Sequence, residues 1–177
     1  MMTFARRLFG TLTLDASIAE DIESDRESAL QALVVILVVA CAGGIAANGL
    51  AAITLPVFLA GATAAIGGWL VWVLAITVIG TVAVPEPQTR SSVPELFRTL
   101  GFAAAPGVFV AFAAMREVAP FVLALVAAWM VAAAVMAIRQ ALDYRSTGRA
   151  IVVCVLAWLL TFGTLAAALN MRLVSVS

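Results

Sequence analysis

From Ser28 to Pro85 the chain has no acidic or basic side chain, and the only ionisable group in those 58 residues is the thiol of Cys41. One crossing of a bilayer takes about 20 apolar residues. The run is therefore long enough to cross twice, and no soluble domain would need it.

The bias extends beyond this run: mean hydropathy is +1.14, 64% of residues are apolar and 11% are charged, against about 25% charged in ordinary soluble domains. Lipid leaves every backbone polar group to be satisfied inside the protein. The expected fold class is all-α: a polytopic membrane bundle of five transmembrane helices preceded by an amphipathic interfacial segment. The expected spans are Ala29–Ala47, Val57–Val82 after the helix-starting Pro56, Phe97–Met115, Pro120–Arg139 and Ala150–Asn170. This divides the chain into an interfacial segment (1–28), a five-span domain (29–171) and a short tail (172–177).

The ten basic residues are all arginine, a usage that fits a GC-rich prokaryotic coding bias. With the N-terminus inside, Arg6, Arg7, Arg26, Arg90, Arg98, Arg139, Arg145 and Arg149 fall on the cytoplasmic side, leaving Arg116 and Arg172 outside. Positive residues near short loops stay cytoplasmic. The expected protein thus sits in a prokaryotic cell membrane with its N-terminus cytoplasmic and its C-terminus outside.

Arg6 and Arg7 superficially suggest an export signal, but "DASIAEDIESDRE" follows where such a signal needs an apolar core and cleavage site. Phe4, Leu8, Phe9 and Leu12 instead recur at near-helical spacing, and the two arginines would meet anionic headgroups. A second short helix is expected with Ser17 and Glu20 at capping-box spacing and Leu14, Ile18 and Ile22 as its apolar stripe. Arg139, Arg145 and Arg149, near the loop between the last two spans, are further candidates for anionic-lipid contact.

Candidate chemistry is sparse. The chain has no histidine or lysine, which removes imidazole ligands and bases and Schiff-base chemistry, and no phosphate-cradling glycine loop is present. Each acidic or basic residue can be placed at a span end or in a loop, whereas an ionisable residue at membrane depth is the usual mark of a transport pathway. No catalytic residue, cofactor or metal site is expected, and nucleic acid is not an expected partner. Gly61 with Ala65, Ala60 with Ala64 and Gly68, and Ala128 with Ala132 have small-xxx-small spacing, which favours close helix approach in a bundle or a homo-oligomer.

The stretch "TLGFAAAPGVFVAF" places Gly101, Pro106 and Gly107 inside the third span. Two readings fit: a kinked helix packed inside the bundle, or a span that begins near Pro106 with Phe97 to Ala105 at the interface. "ELFRTLGFAAAPGVF" resembles the glycine-aromatic-three-residues-proline signature of the YIP membrane-domain family, the Ypt/Rab-GTPase-interacting proteins, with Gly101, Phe102 and Pro106 on the matching positions. The resemblance covers Phe4 to Leu169 and implies five spans, no catalytic residue and a membrane-organising or accessory role of a prokaryotic-type member. The acidic-leucine-glycine-proline element of eukaryotic members is not visible, so GTPase binding is not carried over. A small permease or transporter subunit with a kinked third span is the alternative; a polar cavity around Pro106 would mark it, and a dry interior would mark the scaffold.

Overall fold

A computed structural model describes residues 3–48, 54–89 and 91–176, without the side chains of 48, 162 and 164–176. Arg90 and the side chain of Arg172 fall outside the described set. Described residues form helices and connections, with no strand among them. In order they are α1 (Phe4–Leu12), α2 (Ala16–Ser24), α3 (Ser28–Asn48), α4 (Leu55–Val78), α5 (Val93–Ala103), a 3-10 segment (Ala105–Ala114), α6 (Ala119–Ala141) and α7 (Thr147–Val176).

The apolar runs become helices because only internal hydrogen bonding suits the bilayer. Four segments are long and apolar enough to cross: Ser28–Ala47, Leu55–Ala83, Val93–Ala114 and Ala119–Ala141. The fifth helix is apolar over Thr147–Thr161. Its backbone continues as helix to Val176, through the residues expected as a tail.

The second short helix forms as expected, but its cap differs. Asp15, not Ser17, is the N-cap: its carboxylate accepts from the Ser17 amide at 3.0 Å and the Ser17 hydroxyl at 2.8 Å. A carboxylate is the stronger acceptor and also complements the positive helix end. Ile18 and Ile22 are buried as the stripe predicts.

Helices α1 and α2 pack back on the bundle, against α5, the 3-10 segment and α6. Ile18, Ile22, Ala32, Val35, Phe102 and Ala105 form one core where α2, α3 and the third span meet. A second core joins α4, α5, α6 and α7 around Ile76, Leu100, Ile138 and Val153. The third span is thus a wall shared by both cores.

Candidate functional site at the broken third span

Helix α5 opens with a capping box: Ser92 and Glu95 exchange side-chain and backbone bonds, and the Ser92 amide donates to the Glu95 carboxylate at 2.8 Å. Pro94 fills the first turn, where no amide is needed. From Arg98 to Ala103 every residue is buried. The helix then stops, because Pro106 has no N–H for the Phe102 carbonyl and its ring would strike that carbonyl if the α-helix continued.

The chain answers by tightening. The Gly107 amide donates to Ala104 O at 2.8 Å, and the chain runs on as a 3-10 helix for ten residues, far beyond the usual three or four. At about 1.5 and 2.0 Å per residue, α5 and this segment together reach about 36 Å, enough to cross the roughly 30 Å hydrocarbon core.

The two readings of Pro106 therefore merge. It is a first-turn proline, but of a second helical segment that begins inside the span, and Phe97 to Ala103 precede it as α-helix within the bundle. Gly101 lies against α3 so closely that a Cβ there would stand 2.6 Å from Ala32 Cβ. At Gly107 it would stand 2.6 Å from Val39 Cγ1 and 3.2 Å from Met130 Sδ. Phe102 is fully buried, with the Phe4 ring of α1 at 6.0 Å and tilted. Gly101, Phe102 and Gly107 so join α1, α3 and α6 around the break at Pro106.

A polar cap covers the end of the bundle that carries α1 and α2. Arg7, expected at lipid headgroups, is instead 1% exposed. Its guanidinium donates to Asp21 at 2.8 Å, Asp25 at 2.6 Å and Gln31 at 3.1 Å. Two carboxylates and an amide satisfy a buried cation better than the bilayer surface could, and the bond from Arg7 holds the Asp25 carboxyl below its ordinary range. Arg6 remains on the exposed face with Phe4 and Phe9.

Arg98, also buried, donates to the Glu23 carbonyl. The Glu23 side chain is pushed up to about 7, first by burial and then by the carboxylates of Glu95, Asp143 and Glu20, against the pull of Arg98.

On the other flank, α4 ends in a π-turn, Ile79–Ala83, closed by Val84 N to Ile79 O at 2.9 Å. The Tyr144 hydroxyl lies 2.7 Å from Gly80 O and 2.8 Å from Val84 O and shares its proton between carbonyls that the wide turn leaves open. Gly80 is needed there: a Cβ would meet Leu142 Cδ1 at 2.4 Å. Glu86 accepts from the amides of Arg145 and Ser146 and from Gln88, and these bonds hold its carboxyl below its ordinary range.

Arg149 donates to Pro85 O at 2.7 Å and lies 3.6 Å from Glu86, while Arg139 donates to Tyr144 O at 3.4 Å; both keep exposed surface, as does Arg145. Spacing gave no signal for the links of Arg98 to Glu23, of Tyr144 to Gly80 and Val84, and of Arg145, Ser146 and Arg149 to Glu86 and Pro85, whose hydrogen-bonded partners lie 59 to 75 residues apart.

The interior around the break is apolar. A cavity of about 410 Å³ between α4, the third span, α6 and α7 is lined by Gly68, Trp69, Trp72, Leu100, Ala104 and Met130 among others; the polar groups its described lining residues carry are the Thr161 hydroxyl and the tryptophan indole N–H groups, of which those of Trp69 and Trp72 are buried without a hydrogen-bond partner. Among the described residues no cluster of three potential metal ligands occurs, and Cys41 and Cys154 are unpaired thiols.

In comparison with known proteins, residues 9–168 match the family model described as the Yip1 domain. No curated protein and no solved structure matches the chain.

Proposed function

The chain belongs to the Yip1-domain family of multi-pass membrane proteins, and from that premise we propose that it is a non-enzymatic membrane-organising or accessory factor. It acts through helix packing and its cytoplasmic face, in the cell membrane of a prokaryote. The N-terminus lies in the cytoplasm and the C-terminus outside, an orientation supported by the arginine distribution. The polar cap is then the surface offered to a membrane-protein partner or a second copy. Arg6, Arg139, Arg145 and Arg149 face anionic lipid from it.

The observation that carries this reading is the close apolar packing at the signature. Gly101 and Gly107 are filled against by Ala32, Val39 and Met130, and no charged side chain lines the neighbouring cavity. A solute pathway at that depth would need polar groups or water. The permease reading rests on the ten-residue 3-10 segment, since 3-10 stretches inside helices often mark hinges.

One labelling experiment separates them. With Cys41 and Cys154 replaced by Ala, an Ala104→Cys variant in native membranes is exposed to a charged, membrane-impermeant thiol reagent. Protection is expected; rapid labelling would mean that water reaches the cavity and would favour the permease. In the same background, Ser92→Cys and Ser175→Cys are expected to label from opposite sides. Labelling from one side would overturn the five-span orientation. Affinity purification in mild detergent then identifies the partner.

A further inference from the structure

At the end of the bundle opposite the polar cap, a cleft of about 670 Å³ opens between the last turns of α3, the end of the 3-10 segment and the start of α6. Its size falls within the roughly 300–1,000 Å³ of small-molecule sites. Gly43, Ala47, Ala113 and Leu123 are among the residues that line it. The walls stand apart because their side chains are small, and a Cβ on Gly43 would meet nothing within 4 Å.

Among the described residues, one cation lines this cleft. Arg116 lies in the turn between Ala114, the last residue of the 3-10 segment, and Ala119, the first of α6. It is exposed, and among the described residues no ion pair or hydrogen bond engages its side chain. Two apolar segments end on either side of it, so the guanidinium stands where hydrocarbon gives way to phosphate.

An occupant must therefore be apolar along the walls and anionic at the rim. A planar guanidinium suits a phosphate, to which it can donate two parallel bonds. We propose that this cleft binds one anionic glycerophospholipid, with an acyl chain against the small-residue walls and its phosphate at Arg116. The proposal goes beyond the role above and does not depend on it, because it concerns the other end of the bundle.

Native mass spectrometry of the full chain in neutral detergent tests it, with phosphatidylglycerol and chain-matched phosphatidylcholine as probes. Wild type is expected to retain one phosphatidylglycerol under activation that strips phosphatidylcholine. Arg116→Gln should weaken phosphatidylglycerol about fivefold, the worth of one arginine near an anionic surface. Gly43→Leu fills open space, so it should keep the melting temperature and lose the retained lipid. Arg26→Gln, at the opposite end, should keep it. Equal retention of the two lipids by wild type would overturn the proposal. Undiminished retention in Arg116→Gln or Gly43→Leu, or loss in Arg26→Gln, would overturn it as well.

Discussion

The second and third spans are both rich in small residues, yet their glycines stand in opposite surroundings. Gly101 and Gly107 of the third span are pressed against α3 and α6, whereas Gly61, Gly67 and Gly68 of α4 have nothing within 4 Å of where a Cβ would be. The most apolar window of the third span is 61% buried and that of the second 28%. Spacing says where a backbone could be approached closely; whether a neighbour comes depends on what else converges there. On the third span α1, α2, α3 and α6 all converge.

The largest effect is expected at Gly101→Leu. Its side chain would enter space held by Ala32, whose Cα would lie only 3.3 Å from the new Cβ. A loss of about 3 kcal/mol, the upper end for overpacking, should appear as a lower melting temperature in detergent. An unchanged value would erase the difference between the spans.

Arg7→Met tests what closes α1 and α2 over the third span. Asp21 and Asp25 would lose their shared cation, at about 2 kcal/mol for charge-assisted bonds lost near the interior. Faster proteolysis within residues 1–27 is the expected readout. Unchanged proteolysis would show that the apolar face of α1 suffices.

Pro106→Ala should cost about 1 kcal/mol, because the ring is fully buried while its missing amide falls in a first turn that needs none. A loss as large as that of Gly101→Leu would mean that the break itself, rather than the approach of α3, organises the span.

The seat of α2 should depend on pH. Glu23 titrates at about 7 in the packed state against an ordinary 4.5, so between those values the packed state holds a proton that a released α2 gives up. Packing is therefore most favourable at low pH and weakens as pH rises through about 7. Hydrogen exchange of α2 amides should quicken from about pH 5 to pH 8, beyond the intrinsic rate, and Glu23→Gln should flatten that excess. A flat wild-type profile would place Glu23 in water.

The smallest effect is expected at Gly61→Leu: a change within about 0.5 kcal/mol, since a large side chain there meets open space. A fall like that of Gly101→Leu would show that α4 packs against a second copy, and the two spans would then differ only in what covers them.

Much of this was legible in the sequence. Uncharged runs located the crossing helices to within a few residues, the Leu14, Ile18 and Ile22 stripe located α2, and the spacing of Gly101, Phe102 and Pro106 carried the family. The cap of α2 was misplaced because Ser17 and Asp15 are both good caps and only the chain path selects between them. Arg7 was assigned to lipid because its carboxylate partners lie 14 and 18 residues away, and a turn had to bring them back.

Hydrophobicity and helix-breaking are properties of residues and their neighbours, so the sequence alone determined that this chain crosses a membrane as helices and marked Pro106 as either a kink or a start in the third crossing. Which glycines are pressed against a neighbour, where Arg7 finds its charges, and how Tyr144 comes to close the π-turn of α4 are relations between segments far apart in the chain. These were decided only when the bundle assembled, because a contact belongs to two surfaces and the sequence names each of them separately.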